Sequence, residues 1–330
     1  MSTRPVAIYT DVEDVDVTAG VKMLEHAGYE VRVLGTRDPE KIVAESQDAE
    51  VLLVGYAEIG AEHIARLPNL KLIALLSMGF NNIDIDAAAQ HGVWVTNVPG
   101  AATEEVATHS LAALLYFMRN LRFYLASANP SDWNLRDSRQ PLRLSELTLG
   151  VVGLGKIGRK FAELCRPLFG RVVGYDPMLP DTPETRELLA ESGVARLTLD
   201  EVRSAADVLS LNVPLTEDTH HLVNAEFIAG MRDGSVIVNP SRGQLLDVSA
   251  VSQALDSGKL SGLVLDVLET EPPAADHPFL GRDNVVLTPH IAYYSNRTDS
   301  EYVRIQAQNA VSWLTSGTPD SPVNSPKGGQ

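Results

Sequence analysis

One cysteine, Cys165, stands alone in 330 residues, basic side chains are scarce, and no apolar run is long enough to cross a bilayer. A single thiol excludes an internal disulfide and fits a reducing compartment. Its stretch, "RKFAELCRPLFG", reads as helix, where a cysteine is either a small buried apolar group or a reactive one. Against 43 Asp and Glu there are only 27 Lys and Arg, a formal net charge of −16. No basic cluster offsets that balance, which excludes broad attraction to nucleic acid or to an anionic membrane. The longest apolar runs, such as "LAALLYFM", fall far short of the roughly 18 residues of a membrane helix. The N-terminus, "MSTRPVAIYTDVEDVD", lacks the apolar core of a signal peptide. The chain is therefore expected in the cytoplasm. Metal-ligand spacing is missing too. His220 and His221 are adjacent, so an extended segment turns them to opposite faces, and no metal is expected.

What the sequence does contain is an alternation of β-rich and helical patterns. A hydrophobic fraction of 44% and a charged fraction of 21% belong to a globular protein, and the length allows two domains. The runs "VAIYT", "EVRVLG", "AEVLLVGY", "KLIALLS" and "WVTNV" suit parallel strands buried on both faces. Candidate helices at 17–27, 38–46, 60–67 and 84–90 separate them. One long helix is read over "TEEVATHSLAALLYFMRNLRFYLAS", apolar around much of its circumference and so buried between two bodies. The polar stretch 128–148 follows as a surface excursion, directed toward a partner subunit. A second series then begins: "TLGVVGLG", "RVVGYDP", "DVLSLNVP", "SVIVNPS", "GLVLDVLE" and "NVVLTPH". Helices near 156–168, 183–192, 225–231 and 247–258 separate most of these strands. An amphipathic helix closes the chain, before the disorder-prone "TPDSPVNSPKGGQ". The fold class is thus α/β, with two Rossmann/flavodoxin-like parallel-sheet domains and a cleft between them. Residues 1–99 with 294–330 form one, discontinuous domain, and 100–293 the other, with Pro99-Gly100 as hinge.

Chemistry concentrates in the second series. In "LGVVGLGKIGRKF", Gly153, Gly155 and Gly158 form G-x-G-x-x-G between a strand and a helix. The first glycine permits the tight turn, the second lets backbone approach a pyrophosphate, and the third lets helix pack on strand. The helix N-terminus adds free N–H groups and partial positive charge. The next strand ends in Asp176, where an acid accepts hydrogen bonds from a ribose. A carboxylate there repels a 2′-phosphate, so NAD is favoured over NADP. Residues 100–293 are accordingly read as the NAD-binding domain, and the other domain as the one that binds substrate.

Arg242, in "VIVNPSRGQLLD", lies just past a strand's carboxyl end. Its guanidinium either holds a substrate carboxylate with two parallel hydrogen bonds or pairs with Asp247. In "LVLDVLETEPP", Asp266 ends an apolar strand and is placed to orient a nicotinamide amide, and Glu271 is placed to pair with an imidazole. In isolation, both acids read equally as solvated loop residues. His290, in "NVVLTPHIAYYS", is either a satisfied core histidine or a proton-transfer group. Arg242 and Glu271 at the same sheet edge favour the second: a neighbouring carboxylate stabilises the imidazolium and raises its pKa, giving a proton donor for a carbonyl or, deprotonated, a base for an alcohol.

With these residues in place, the chain resembles the D-2-hydroxyacid dehydrogenase family over nearly its whole length. The resemblance is carried by "SMGFNNIDIDAAAQHGVWVTNVPG", "LGVVGLGKIGRK", "NVPLTEDTHHLVN", "NPSRG", "LDVLETEP" and "TPHIA". The ending "HIAYYS" is similar to the C-terminal-binding-protein branch, with Tyr293 where that branch typically has tryptophan. The resemblance implies a catalytic set of Arg242, Glu271 and His290. It implies contacts to the substrate carboxylate from backbone near Met78 and Gly79, and it places Tyr293 at the substrate. Cofactor contacts are implied for Lys156, Ile157, Asp176, Asn212, Val213, Pro214, Thr219, Pro240, Ser241 and Asp266, beside the three glycines. It also implies a homodimer through the long helix and the excursion after it. Asn212 stands where many members carry histidine, which points to an effect on cofactor affinity. Glu271 stands where formate-oxidising members use glutamine, which disfavours formate. No regulatory domain is read after residue 320, which weakens a phosphoglycerate assignment.

The sequence is therefore read as an NAD-dependent oxidoreductase that interconverts a small D-2-hydroxy acid and its 2-keto acid. Two rivals stay open, an NAD(H)-sensing corepressor-like interaction protein and a phosphite dehydrogenase on the same scaffold. Tyr293, Tyr294, Phe80 and Trp133 are candidates to line the pocket for the acid's side chain, which would suit an apolar or aromatic group.

Overall fold

The computed structural model describes residues 4–12, 15–128, 133 and 140–326. About half of the expected excursion, 129–132 and 134–139, lies outside the described residues. The chain divides into two compact units, Met1–Ala101 with Ser295–Gln330, and Ala102–Tyr294. Among the described residues no helix is long and apolar enough to cross a membrane.

In the first unit, β1 (Val6–Tyr9), α1 (Thr18–Ala27), β2 (Glu30–Val33), α2 (Pro39–Glu45), β3 (Val51–Val54), α3 (Ala61–Ile64), β4 (Leu72–Leu75), α4 (Ile85–Gln90) and β5 (Trp94–Thr96) alternate. The five strands are all parallel, in the order β2-β1-β3-β4-β5, the flavodoxin-like arrangement. Every side chain of β1, β3 and β4 is buried, and each large aliphatic one contributes roughly 1.5–3 kcal/mol. β2 departs from the expectation of strands buried on both faces: it is an edge, and Val33 is 49% exposed.

The second unit opens with a correction. The single long helix of the sequence reading is two, α5 (Thr103–Met118) and α6 (Leu121–Ala126). Asn120 separates them with a left-handed backbone, φ 52°, a conformation asparagine tolerates and a continuous helix forbids. There follow β6 (Thr148–Val152), α7 (Lys156–Cys165), β7 (Arg171–Tyr175), α8 (Pro183–Glu191), β8 (Ala195–Arg196), α9 (Leu199–Ala205), β9 (Val208–Leu211), α10 (Ala225–Ala229), β10 (Ser235–Asn239), α11 (Val248–Ser257), β11 (Leu260–Leu265) and β12 (Val285–Leu287). The structure adds β8 and α9 to the elements read from sequence. A Thr198–Glu201 capping box starts α9, a local signal present in the sequence. The seven strands are parallel, in the order β12-β11-β10-β9-β6-β7-β8. Strand order reverses between β6 and β9, and ligands of open α/β sheets bind beyond the carboxyl ends at such a point.

The last helix, α12 (Thr298–Ser316), belongs to the first unit. It packs on α1, β3 and β4, and the buried Gln306 side chain donates to the carbonyls of Val54 and Ala74. The tail is a further correction. Through residue 324 it is tied down: Val323 N–H donates to Val95 O, Val95 N–H donates to Asn324 Oδ1, and Thr96 bridges Pro322. Polar composition suggested disorder, but those polar groups satisfy the free edge of β5.

Candidate active site

The glycine turn is fixed by close approach. After β6, Gly153 has φ +90°, and a Cβ there would lie 2.3 Å from Asn212 O. At Gly158, in α7, a Cβ would lie 2.0 Å from Gly153 O. At Gly155, the residue that caps α7, a Cβ would meet nothing within 4 Å. The turn is thus closed on the sheet side and open ahead of the helix, where the first N–H groups of α7 collect partial positive charge. Lys156 is exposed and Ile157 half-buried at that helix start. Asp176, just past β7, reaches back over the turn: Oδ2 accepts from Leu154 N–H at 2.8 Å and Oδ1 from Met178 N–H at 2.8 Å. Asn212, past β9, has a buried Oδ1 with no hydrogen-bond partner among the described residues. A buried acceptor left unsatisfied costs about 1–3 kcal/mol, so this position suits a ligand that brings a donor. An open cradle, an acid beside it and an orphaned acceptor fit a dinucleotide.

Gly158→Ala is expected to remove NADH binding and to lower Tm. The added methyl meets a backbone carbonyl at 2.0 Å, and relieving that overlap costs about 1–3 kcal/mol. Fluorescence titration with NADH and a thermal melt check it, and an unchanged NADH affinity rejects this account of the turn.

Arg242, Glu271 and His290 come together at the carboxyl edge of the same sheet, past β10, β11 and β12. Asn239, fully buried, shapes the first loop: its amide donates to Arg242 O and its Oδ1 accepts from Ser241 N–H. Burial draws Arg242 below its ordinary pKa, and the charge of Glu271 opposes that shift. The guanidinium stays charged and is half-buried. Glu271 Oε1 accepts from Leu268 N–H at 2.7 Å, and Oε2 lies 2.6 Å from His290 Nδ1. Burial raises the Glu271 carboxyl, but the bonds from His290 and Leu268 and the charges of His290 and Arg242 outweigh it, so the group sits below the ordinary glutamate value. The His290 ring is about half exposed, so Nδ1 is held and the rest of the ring faces outward. Its backbone is left-handed, φ 54°, a state that costs a non-glycine residue on the order of 1–3 kcal/mol and gathers at functional sites. Asp247, the alternative partner read for Arg242, caps α11 by accepting from Ala250 N–H.

Three expected cofactor contacts have side chains engaged inside the protein. Thr219 donates to Pro214 O, Ser241 to Leu211 O, and Asp266 is almost wholly buried and accepts from Thr288, Ile291 and Ala292. Val213 packs on the core, and Pro214 and Pro240 flank the β9 and β10 ends. Tyr293 is half-buried, and its ring meets Tyr294 edge-on at 6.4 Å. Met78 and Gly79 form a turn in the first unit, where Asn97 donates to Met78 O and Ser77 to Gly79 O. The histidine pair needs a correction: His220 and His221 do not face opposite ways but stack, ring centroids 4.0 Å apart. His221 has φ 52°, so the segment is a turn rather than extended. With Glu269 they make a candidate ligand group, yet stacked rings cannot both aim in-plane lone pairs at one ion. Cys165 is fully buried in α7, and burial pushes its thiol up to about 12, which decides for the inert reading.

Residues 111–292 match the family model of the D-isomer specific 2-hydroxyacid dehydrogenase, NAD binding domain. The chain is 30% identical over 306 residues to a glyoxylate reductase of Aeropyrum pernix, covering 90% of each. It is 34% identical over 293 residues to a D-3-phosphoglycerate dehydrogenase of Archaeoglobus fulgidus, covering 88% of this chain and 54% of that one. It thus spans about half the length of the phosphoglycerate dehydrogenases it resembles. A solved D-lactate dehydrogenase from Aquifex aeolicus, complexed with NAD and lactic acid, superposes with a TM-score of 0.85 at 30% identity, covering 97% of this chain and 100% of that one.

Proposed function

This chain belongs to the D-isomer specific 2-hydroxyacid dehydrogenase family, and we propose that it interconverts a small D-2-hydroxy acid and its 2-keto acid with NAD. The observation that carries the reading is the His290–Glu271 pair, 2.6 Å apart, at the sheet edge that also presents Arg242. When bound, the nicotinamide cofactor supplies or accepts the hydride. Gly153, Gly155 and Gly158 with the start of α7 hold its pyrophosphate, Asp176 its ribose, and the carboxylate of Asp176 disfavours a 2′-phosphate. Arg242 binds the acid's carboxylate through two parallel hydrogen bonds and draws electron density from the C2 carbonyl. Nδ1 of His290 is committed to Glu271, so Nε2 is the working nitrogen: it gives a proton to the carbonyl oxygen in reduction and takes the hydroxyl proton in oxidation. Glu271 fixes the ring and balances its charge. The ring of Tyr293, in the same unit as Arg242, Glu271 and His290, borders the substrate.

Relatives named for glyoxylate, hydroxypyruvate and lactate favour a small 2-keto acid over the corepressor and phosphite readings. Exposed Leu121 and Leu125 on α6, with Trp133 and Leu142 beyond it, support a homodimer through this region. A cytoplasmic location belongs to the same proposal. A panel of glyoxylate, hydroxypyruvate, pyruvate, phenylpyruvate and phosphite, followed through NADH absorbance, tests the reaction. Oxidation of NADH by at least one keto acid is expected, with a D-configured product. Turnover of phosphite alone, or of nothing in the panel, rejects it.

A further inference from the structure

Asp266 is a nearly fully buried acid, 3% exposed, that the proposed chemistry does not use. Its bonds bracket His290. Its carbonyl accepts from His290 N–H at 2.8 Å, and its carboxylate accepts from the next two amides, Ile291 at 3.0 Å and Ala292 at 2.8 Å. A left-handed histidine needs such restraint, because its backbone alone would relax. The carboxylate in turn needs compensation, since a buried charge without a partner is strongly destabilising. Among the described residues, the basic side chain within ion-pair distance of Asp266 is His109 of α5, 3.7 Å away. Between them stands Thr288. Its hydroxyl lies 2.5 Å from Asp266 Oδ1 and 2.9 Å from His109 Nε2.

The direction of these bonds follows from counting hydrogens. A hydroxyl has one to give, and the short bond to a carboxylate takes it. His109 Nε2 must therefore donate to Thr288 Oγ1. The result is a one-way chain, His109 to Thr288 to Asp266, that ends on the turn carrying His290. We propose that His109 is a positioning residue for the His290 turn, acting through Thr288 and Asp266. α5 thereby sets the aim of an imidazole on another loop without touching substrate or cofactor.

The inference rests on the reading of His290 as the proton-transfer group, and its test separates the two. His109→Leu removes the donor and keeps the bulk, while His109→Gln restores an N–H donor at similar reach. In His109→Leu, kcat for keto-acid reduction is expected to fall about tenfold or more. KM and NADH affinity should stay within about twofold, since no ligand contact is lost. Hydrogen exchange at the Ile291 and Ala292 amides is expected to quicken. His109→Gln should recover both. Thr288→Val, which breaks the chain at its middle, should repeat the leucine variant. Wild-type turnover and exchange in His109→Leu overturn the proposal. So does a glutamine variant as slow as the leucine one, because shape and not the donor would then be responsible. Should the wild type reduce no keto acid, the amide exchange still decides: faster exchange in His109→Leu with recovery in His109→Gln sustains the positioning role while the dehydrogenase reading fails.

Discussion

Arg242→Ala is expected to lower kcat/KM for keto-acid reduction by on the order of 10³-fold, with NADH affinity nearly unchanged. Truncating one partner of a desolvated, hydrogen-bonded charge pair costs roughly 2–5 kcal/mol, and about 1.4 kcal/mol is a factor of ten. Burial shifts Arg242 below its ordinary pKa, so its charge is incompletely solvated and gains from a carboxylate partner. The loss should appear in KM, through the carboxylate, and in kcat, through the carbonyl that is no longer polarised. Arg242→Lys separates these effects. Lysine keeps the charge but lacks the planar fork, so it should recover part of the binding and little of the turnover. The side chain donates to Ser241 O at 2.7 Å, and Asn239 rather than the guanidinium shapes the loop, so the alanine variant is expected to fold. Steady-state kinetics with a thermal melt as control measure this. Near-wild-type kcat/KM in folded Arg242→Ala removes Arg242 from the mechanism.

Much of this site is readable in the sequence because each part has a local cause. The glycine turn follows from three spacings and one acid. Arg242, Glu271 and His290 each end or follow a strand that parallel topology brings to one edge. What was not readable depends on contacts remote in sequence or on single dihedrals. Asn120 breaks a helix whose composition runs on across it. His220 and His221 stack because one residue takes a left-handed φ, and alternation rules assume it does not. Asp266 reads as an exposed ligand-binding acid, yet its carboxylate is spent on backbone 25 and 26 residues away. His109 is a lone imidazole in an apolar helix. Its only sequence signal is that isolation, and its partner is 179 residues on. The tail looks disordered until the free edge of β5 gives its polar groups something to bind.

Replacing His290 by alanine is expected to reduce kcat by about 10²–10⁴-fold, the usual contribution of a positioned acid or base, with NADH still bound. Glu271→Gln should fall between this variant and wild type. Its amide can still accept from either His290 or Leu268, but it no longer balances an imidazolium. The pH dependence distinguishes the two residues. In the folded protein Glu271 is held below the ordinary glutamate value, so its stabilising contribution is complete above the unfolded pKa and is lost as pH falls through the lower, folded one. Acid melts of wild type should show this loss below about pH 4.5, and Glu271→Gln should not. The double variant Arg242→Ala/His290→Ala carries the argument furthest. If both groups act on one carbonyl, the second substitution removes help that the first has already made useless, and the combined loss must be well below the product of the single losses. Full multiplicativity would mean that the two residues serve separate steps, and the shared transition state proposed for them would have to be given up.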